Sequence, residues 1–168
     1  MNSVLRWLES TDLSQWIVGS SSIFAFPGIL CVHAIGMGMA VGIGAAFDLR
    51  ILGVARGVPL AEMRRFLPFL WTGFAINAVS GVLLLIGYPT KALTNPVFYL
   101  KLLLIATAMA LLAPMSRRAF GVTEDGAATA PDPGTALRRL AIASLVCWAG
   151  AITAGRLLAY TYLHLRAS

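Results

Sequence analysis

Residues 22–47, SIFAFPGILCVHAIGMGMAVGIGAAF, run from Ser22 to Phe47 without a single acidic or basic side chain other than His33. At about 1.5 Å per residue this stretch is long enough to cross about 30 Å of hydrocarbon. Three further apolar stretches, 66–88, 97–115 and 140–163, are of comparable length. Lipid offers the backbone no hydrogen-bond partners, so each span must satisfy its own N–H and C=O groups as a helix. The runs are too continuous for barrel strands, which alternate apolar and polar positions. The fold class that follows is all-α, a four-transmembrane-helix bundle in one membrane domain.

Composition agrees. Of 168 residues, 58% are hydrophobic and only 12% charged, with mean hydropathy +0.80. A core this small cannot bury so much apolar surface, so most of it is expected to face lipid. The net charge of +6 does not indicate nucleic acid, because the basic residues gather at the ends of apolar runs and lack stacking aromatics on a basic surface. Cys31 and Cys147 both fall inside apolar segments and read as small core residues rather than a disulfide or metal pair. Residues 1–12 have no apolar region followed by a cleavage site, so the first span itself is expected to drive insertion.

Loop charge sets the expected direction. Arg50, Arg56, Arg64 and Arg65 follow the first span, and Arg117, Arg118, Arg138 and Arg139 follow the third. The other side holds only scattered cations: Arg6, Lys91, Lys101 and Arg166. The positive-inside rule then places both long arginine-bearing connections in the cytoplasm and both termini in the periplasm or exterior. The short, proline-bounded turn from Pro89 to Pro96 predicts that spans two and three are antiparallel neighbours. Residues 122–136, VTEDGAATAPDPGTA, read as a flexible cytoplasmic loop. Residues 3–20 interleave Val4, Leu5, Trp7, Leu8, Leu13, Trp16 and Ile17 with polar positions. That pattern predicts an N-terminal interfacial helix with its tryptophans at headgroup level, broken at Ser10-Thr11-Asp12.

Polar groups inside a membrane are the strongest functional pointers. His33 lies in the outer half of span one, and Gly36, Ala40 and Gly44 follow it on one smooth face. Lys101 is one turn into span three, Arg156 is deep in span four with Tyr160 a turn later, and His164 closes that span. Each has a plain reading: an interhelical hydrogen bond for His33, snorkelling for Lys101 and Arg156, and an exposed tail position for His164. All five nevertheless project to the outer half of the bilayer. A histidine ligand with nearby cations is what a b-type haem with two propionates requires. On that reading His33 is the ligand, His164 a possible second ligand, and Lys101, Arg156 and Tyr160 line the site. His33 and Met37 also suit copper(I), but Cys31 and Met39 lie elsewhere around the helix. Asp48 and Arg50, near Arg64-Arg65, read as an interfacial charge cluster. No catalytic constellation or phosphate loop is present, so an enzyme activity of the chain alone is not expected.

His33-Ala-Ile-Gly36 and Phe47-Asp-Leu-Arg-Ile-Leu-Gly53 resemble a bacterial family of small membrane proteins known only as a domain of unknown function, with a His-x-x-Gly helix ending in Asp-Leu-Arg-Leu-Leu-Gly. Gly73-Phe74 to Ser80-Gly81, Asn95-Pro96-Val97-Phe98 to Lys101-Leu102, and Trp148 to Gly155-Arg-Leu-Leu-Ala-Tyr160 are similar too. The arrangement is more distantly similar to CopD-type membrane domains and to b-type cytochromes, which imply a four-helix architecture and, for the latter, paired histidine ligands. Three functions stand open: a haem-binding electron-transfer subunit, a non-catalytic scaffold or anchor assembling with itself or a periplasmic partner, and a small copper or anion transport component.

Overall fold

The computed structural model describes residues 2–54, 56–120 and 134–165, without the side chains of Asn2 and of residues 159–165. Two short helices, α1 (Asn2–Glu9) and α2 (Asp12–Gly19), precede the first long helix, α3 (Phe26–Ile51). A 3₁₀ segment (Leu60–Phe66) leads into α4 (Leu67–Gly87); then follow α5 (Pro89–Leu93), α6 (Pro96–Phe120) and α7 (Thr135–Leu165). Four helices are long and apolar enough to cross a membrane, making this a multi-pass membrane protein. Between 17% and 28% of each span's most apolar window is buried inside the bundle, so the rest of that apolar surface faces outward, as lipid requires.

Proline sets where the helices begin. Pro27 and Pro68 occupy the first turn of α3 and α4, and Pro89 and Pro96 open α5 and α6. There the missing N–H belongs to an otherwise unpaired donor and the fixed φ suits the helix. Span one therefore starts at Phe26 rather than Ser22 and continues to Ile51. Gly53, at φ +94°, ends the turn that follows. The break expected at Ser10-Thr11-Asp12 is present: Thr11 caps α2, its hydroxyl accepting the Ser14 N–H. Of the loop expected at 122–136, residues 122–133 lie outside the described residues. Thr135 and Ala136 already belong to α7, because the Thr-Ala-Leu-Arg-Arg run has helix-forming side chains and no breaker.

The helices pack as two tight antiparallel pairs, α3 with α4 and α6 with α7, joined by α3 against α7. Glycine decides each pair. A Cβ on Gly36 would stand 2.7 Å from the Asn77 backbone nitrogen and 2.8 Å from the Gly73 carbonyl oxygen. A Cβ on Gly73 would stand 2.6 Å from Met39 Cβ. The two backbones therefore touch, as small residues allow in membrane helices. Leu104 sits over Gly150 between α6 and α7, and the Trp148 indole sits over Gly44 between α7 and α3.

Spans two and three are not the close neighbours that their short connection implied. The α5 turn links them, but α4 packs on α3 and α6 on α7. Leu70 of α4 and Ala108, Met109 and Leu112 of α6 belong to one buried cluster, and Phe74 and Ile105 line a shared void. The close backbone approaches lie on the other pairs. At this same end Ile17 of α2, fully buried, packs on Gly87 of α4, while Trp7 and Trp16 are exposed.

Gly36→Ala is expected to lower thermal stability in detergent by about 1–3 kcal/mol, the range for overpacking. Gly42→Ala, at a position with nothing within 4 Å, is expected to leave it unchanged. Fluorescence-detected thermal unfolding checks both, and equal loss in the two variants would contradict the backbone contact.

Candidate functional site

The residues around His33 form a polar cluster across the α3–α4 crossing. The imidazole Nδ1 lies 3.0 Å from the Asn77 carbonyl oxygen. A carbonyl only accepts, so Nδ1 carries the proton and donates it. Ser80 Oγ also lies 3.0 Å from Nδ1, and its own proton goes to the Ile76 carbonyl at 2.6 Å. In the reverse direction, Asn77 Nδ2 donates to the His33 carbonyl at 2.9 Å. Helix crossing and polar bonding support each other here: Gly36 and Gly73 bring the backbones close enough for Asn77 to reach across, and Gly81 leaves room for the ring, whose Cε1 would lie 3.2 Å from a Cβ there.

With Nδ1 protonated, the neutral ring presents its lone pair at Nε2. Asn77 Nδ2, at 3.4 Å, is the polar atom that approaches it. An Nδ1–H held by a backbone carbonyl is the arrangement that orients metal-ligating histidines. Lys101 of α6 is half-buried, lies within electrostatic range of His33, and runs its stem along Gly155 of α7, with Nζ 3.9 Å from where a Cβ would be. No described carboxylate pairs with it.

The other sequence-derived candidates divide. Gly36, Ala40 and Gly44 are buried on one face of α3, as expected. Arg156 is exposed on α7 and is not brought to His33. Tyr160 and His164 lie on α7, but their side chains are outside the described residues. Cys31 is exposed, and Met39 is turned to Gly73, so neither joins His33 and Met37 as a copper ligand. Among the described residues no group of three His, Cys, Asp or Glu side chains could hold a metal ion. Beside the cluster, Met37, Ala40, Phe74, Asn77, Ile105 and Trp148 line a void of about 10 Å³, room for one water. A wider groove of about 530 Å³, open on the outer face of α3 and α4, includes Ser80 and Val32 but is not lined by His33.

The charge cluster expected at the other end of α3 is not formed. Asp48 is 1% exposed, whereas Arg50 turns away to the carbonyls of Val58 and Arg56. Arg65 pairs with Glu62 at 3.2 Å. One turn of helix places Asp48 on the same buried face as Gly44, and this phase, invisible in a list of charges, carries it inward. Asn77, Ser80 and Ser144 were not singled out from the sequence. The signal for Asn77 was present, since an amide in mid-span is costly unless it is bonded.

Comparisons with protein families, with curated proteins and with solved structures found no match to this chain.

His33→Ala and Asn77→Ala each remove one side-chain bond to the other residue's backbone carbonyl, and each is expected to cost about 0.5–2 kcal/mol, typical of interhelical hydrogen bonds in membranes. Unfolding in mixed detergent measures both, and a variant as stable as the wild type would show that its bond contributes nothing.

Proposed function

We propose that this chain is an inner-membrane subunit, both termini periplasmic and Trp7 and Trp16 at the outer headgroups, that takes a b-type haem at His33 for electron transfer. One observation carries the reading. The Nδ1–H bond to Asn77 leaves Nε2 of His33 for a metal, beside an inward-facing lysine that lacks a carboxylate partner among the described residues. An embedded cation is satisfied by an anion, by carbonyls or by water, and a haem propionate is such an anion. The donors thus suit one axial position and one propionate. The void beside them does not admit a macrocycle, so room for the ring is the condition that a binding experiment must meet. Bound haem would supply one-electron chemistry, while His33 and Lys101 would hold and orient it.

Titration of the detergent-purified protein with ferric haem is expected to give a saturable Soret band at equimolar haem, absent in His33→Ala. Lys101→Met is expected to weaken binding about tenfold, the size of one charge-assisted hydrogen bond. A preparation in which haem stays unbound overturns the reading.

A second reading, a scaffold assembling with a further copy of itself, is favoured by a separate face of α3. Ala34, Gly38, Gly42 and Ala46 recur at every fourth position and are exposed, and a Cβ at Gly38 or Gly42 would meet nothing within 4 Å. The glycines at 36 and 44 are used inside the bundle; these two are not. In vesicles, cross-linking through Cys31 on this helix is expected to capture dimers that Gly38→Leu and Gly42→Leu abolish. Unchanged capture in both variants sinks this reading.

A further inference from the structure

Asp48 is enclosed at the end of α3 away from His33. It lies on the buried face with Phe47 and Ile51, members of the core cluster that also contains Met63, Leu112, Met115 and Trp148. Its one polar partner among the described residues is the Ser144 hydroxyl of α7. The second carboxyl oxygen, Oδ2, is buried and has no hydrogen-bond partner among the described residues. The antiparallel pairing of α3 and α7 produces this contact, since Gly44 meets Trp148 and, one turn on in each helix, Asp48 meets Ser144.

A carboxylate removed from water needs a cation or several donors around its two oxygens. Here there is one hydroxyl. The charged and titratable groups on the surrounding elements do not reach it. None occurs in α4. On α7, Cys147 is half-buried, and Arg138 and Arg139 are exposed. On the 3₁₀ segment, Arg64 is exposed and Glu62 is paired with Arg65. Arg117 and Arg118 of α6 are exposed, and Arg50 of α3 itself is bonded to backbone carbonyls. A protonated carboxyl suits the same place: Oδ1–H donates to Ser144 Oγ, and the atom left without a partner is a neutral carbonyl oxygen.

We propose that Asp48 and Ser144 form a proton-binding site between α3 and α7, reached from the end of the bundle that carries the arginine-rich connections. In the binding step, carboxylate Oδ1 takes a proton from hydronium, an O–H bond forms, water is released, and no electrons change hands. Access from the His33 end is closed. His33 lies about 22 Å away along the helix, and between the two stand the Trp148 indole, seated on Gly44, and the apolar lining of the small void. The site is independent of haem.

Infrared spectroscopy of the chain reconstituted in phosphatidylcholine vesicles tests the proposal. At neutral pH the wild type is expected to show the C=O stretching band of a buried protonated carboxyl, lost in Asp48→Asn. Ser144→Ala, a smaller change, is expected to keep the band and move its frequency. Lowering external pH on vesicles with the arginine-rich connections outward is expected to raise the band; vesicles of the opposite orientation are not expected to respond. Absence of the band in the wild type, or its persistence in Asp48→Asn, overturns the site. A response only from the opposite orientation overturns the access route.

Discussion

The contact on which the structure depends is the backbone crossing of α3 and α4 at Gly36 and Gly73. In lipid the apolar side chains gain nothing by leaving one hydrocarbon environment for another, so helices associate through close packing and polar bonds. Two glycines that would clash with any Cβ provide the first. Their closeness provides the second, because only at that separation does the Asn77 amide reach the His33 carbonyl while the imidazole returns a bond to the Asn77 carbonyl. The exchange is reciprocal and satisfies groups that would otherwise be unpaired in the membrane. Ser80 adds to it without exposing a free donor, since its hydroxyl proton is already given to the preceding turn.

The same logic repeats with different chemistry down the bundle axis. The α3–α7 contact begins with an indole on Gly44 and ends with the hydroxyl of Ser144 on Asp48. Between the two polar regions lies largely apolar packing that includes a one-water void. The bundle thus has a neutral, hydrogen-bonded histidine cluster at one end, the buried Asp48 carboxyl at the other, and a plug between them. Lys101, laid along Gly155, shows how small residues also make room for a long charged side chain to lie inward. The arginines do the opposite: those described after α3 and α6 are turned to the surface or to backbone carbonyls.

What was legible in the sequence follows from the physics of single helices. Four apolar runs determine four spans, because length and backbone satisfaction depend on no partner. Pro27, Pro68 and Pro96 mark the beginnings of three of the long helices and Thr11 that of α2, because a cap acts within a few residues. The smooth face of Gly36, Ala40 and Gly44 could be read from spacing on one helix. His33 stood out as the one ionisable group in the middle of its run.

What only the tertiary structure decided concerns which helix meets which. The short proline-bounded turn suggested that spans two and three pair; the glycine contacts instead pair one with two and three with four, because backbone approach, rather than loop length, selects the partner. Arg156 and Asp48 show the same division. The sequence places Arg156 deep in its span and Asp48 at a span's edge, but a shift of one position around α7 leaves Arg156 outside while Gly155 faces Lys101. Helical phase carries Asp48 into the core, away from the arginines beside it in sequence. The sequence by itself determined four membrane helices and a histidine within them. The packing of glycine against backbone determined that this histidine bonds Asn77, and that a second buried group, Asp48, meets the Ser144 hydroxyl.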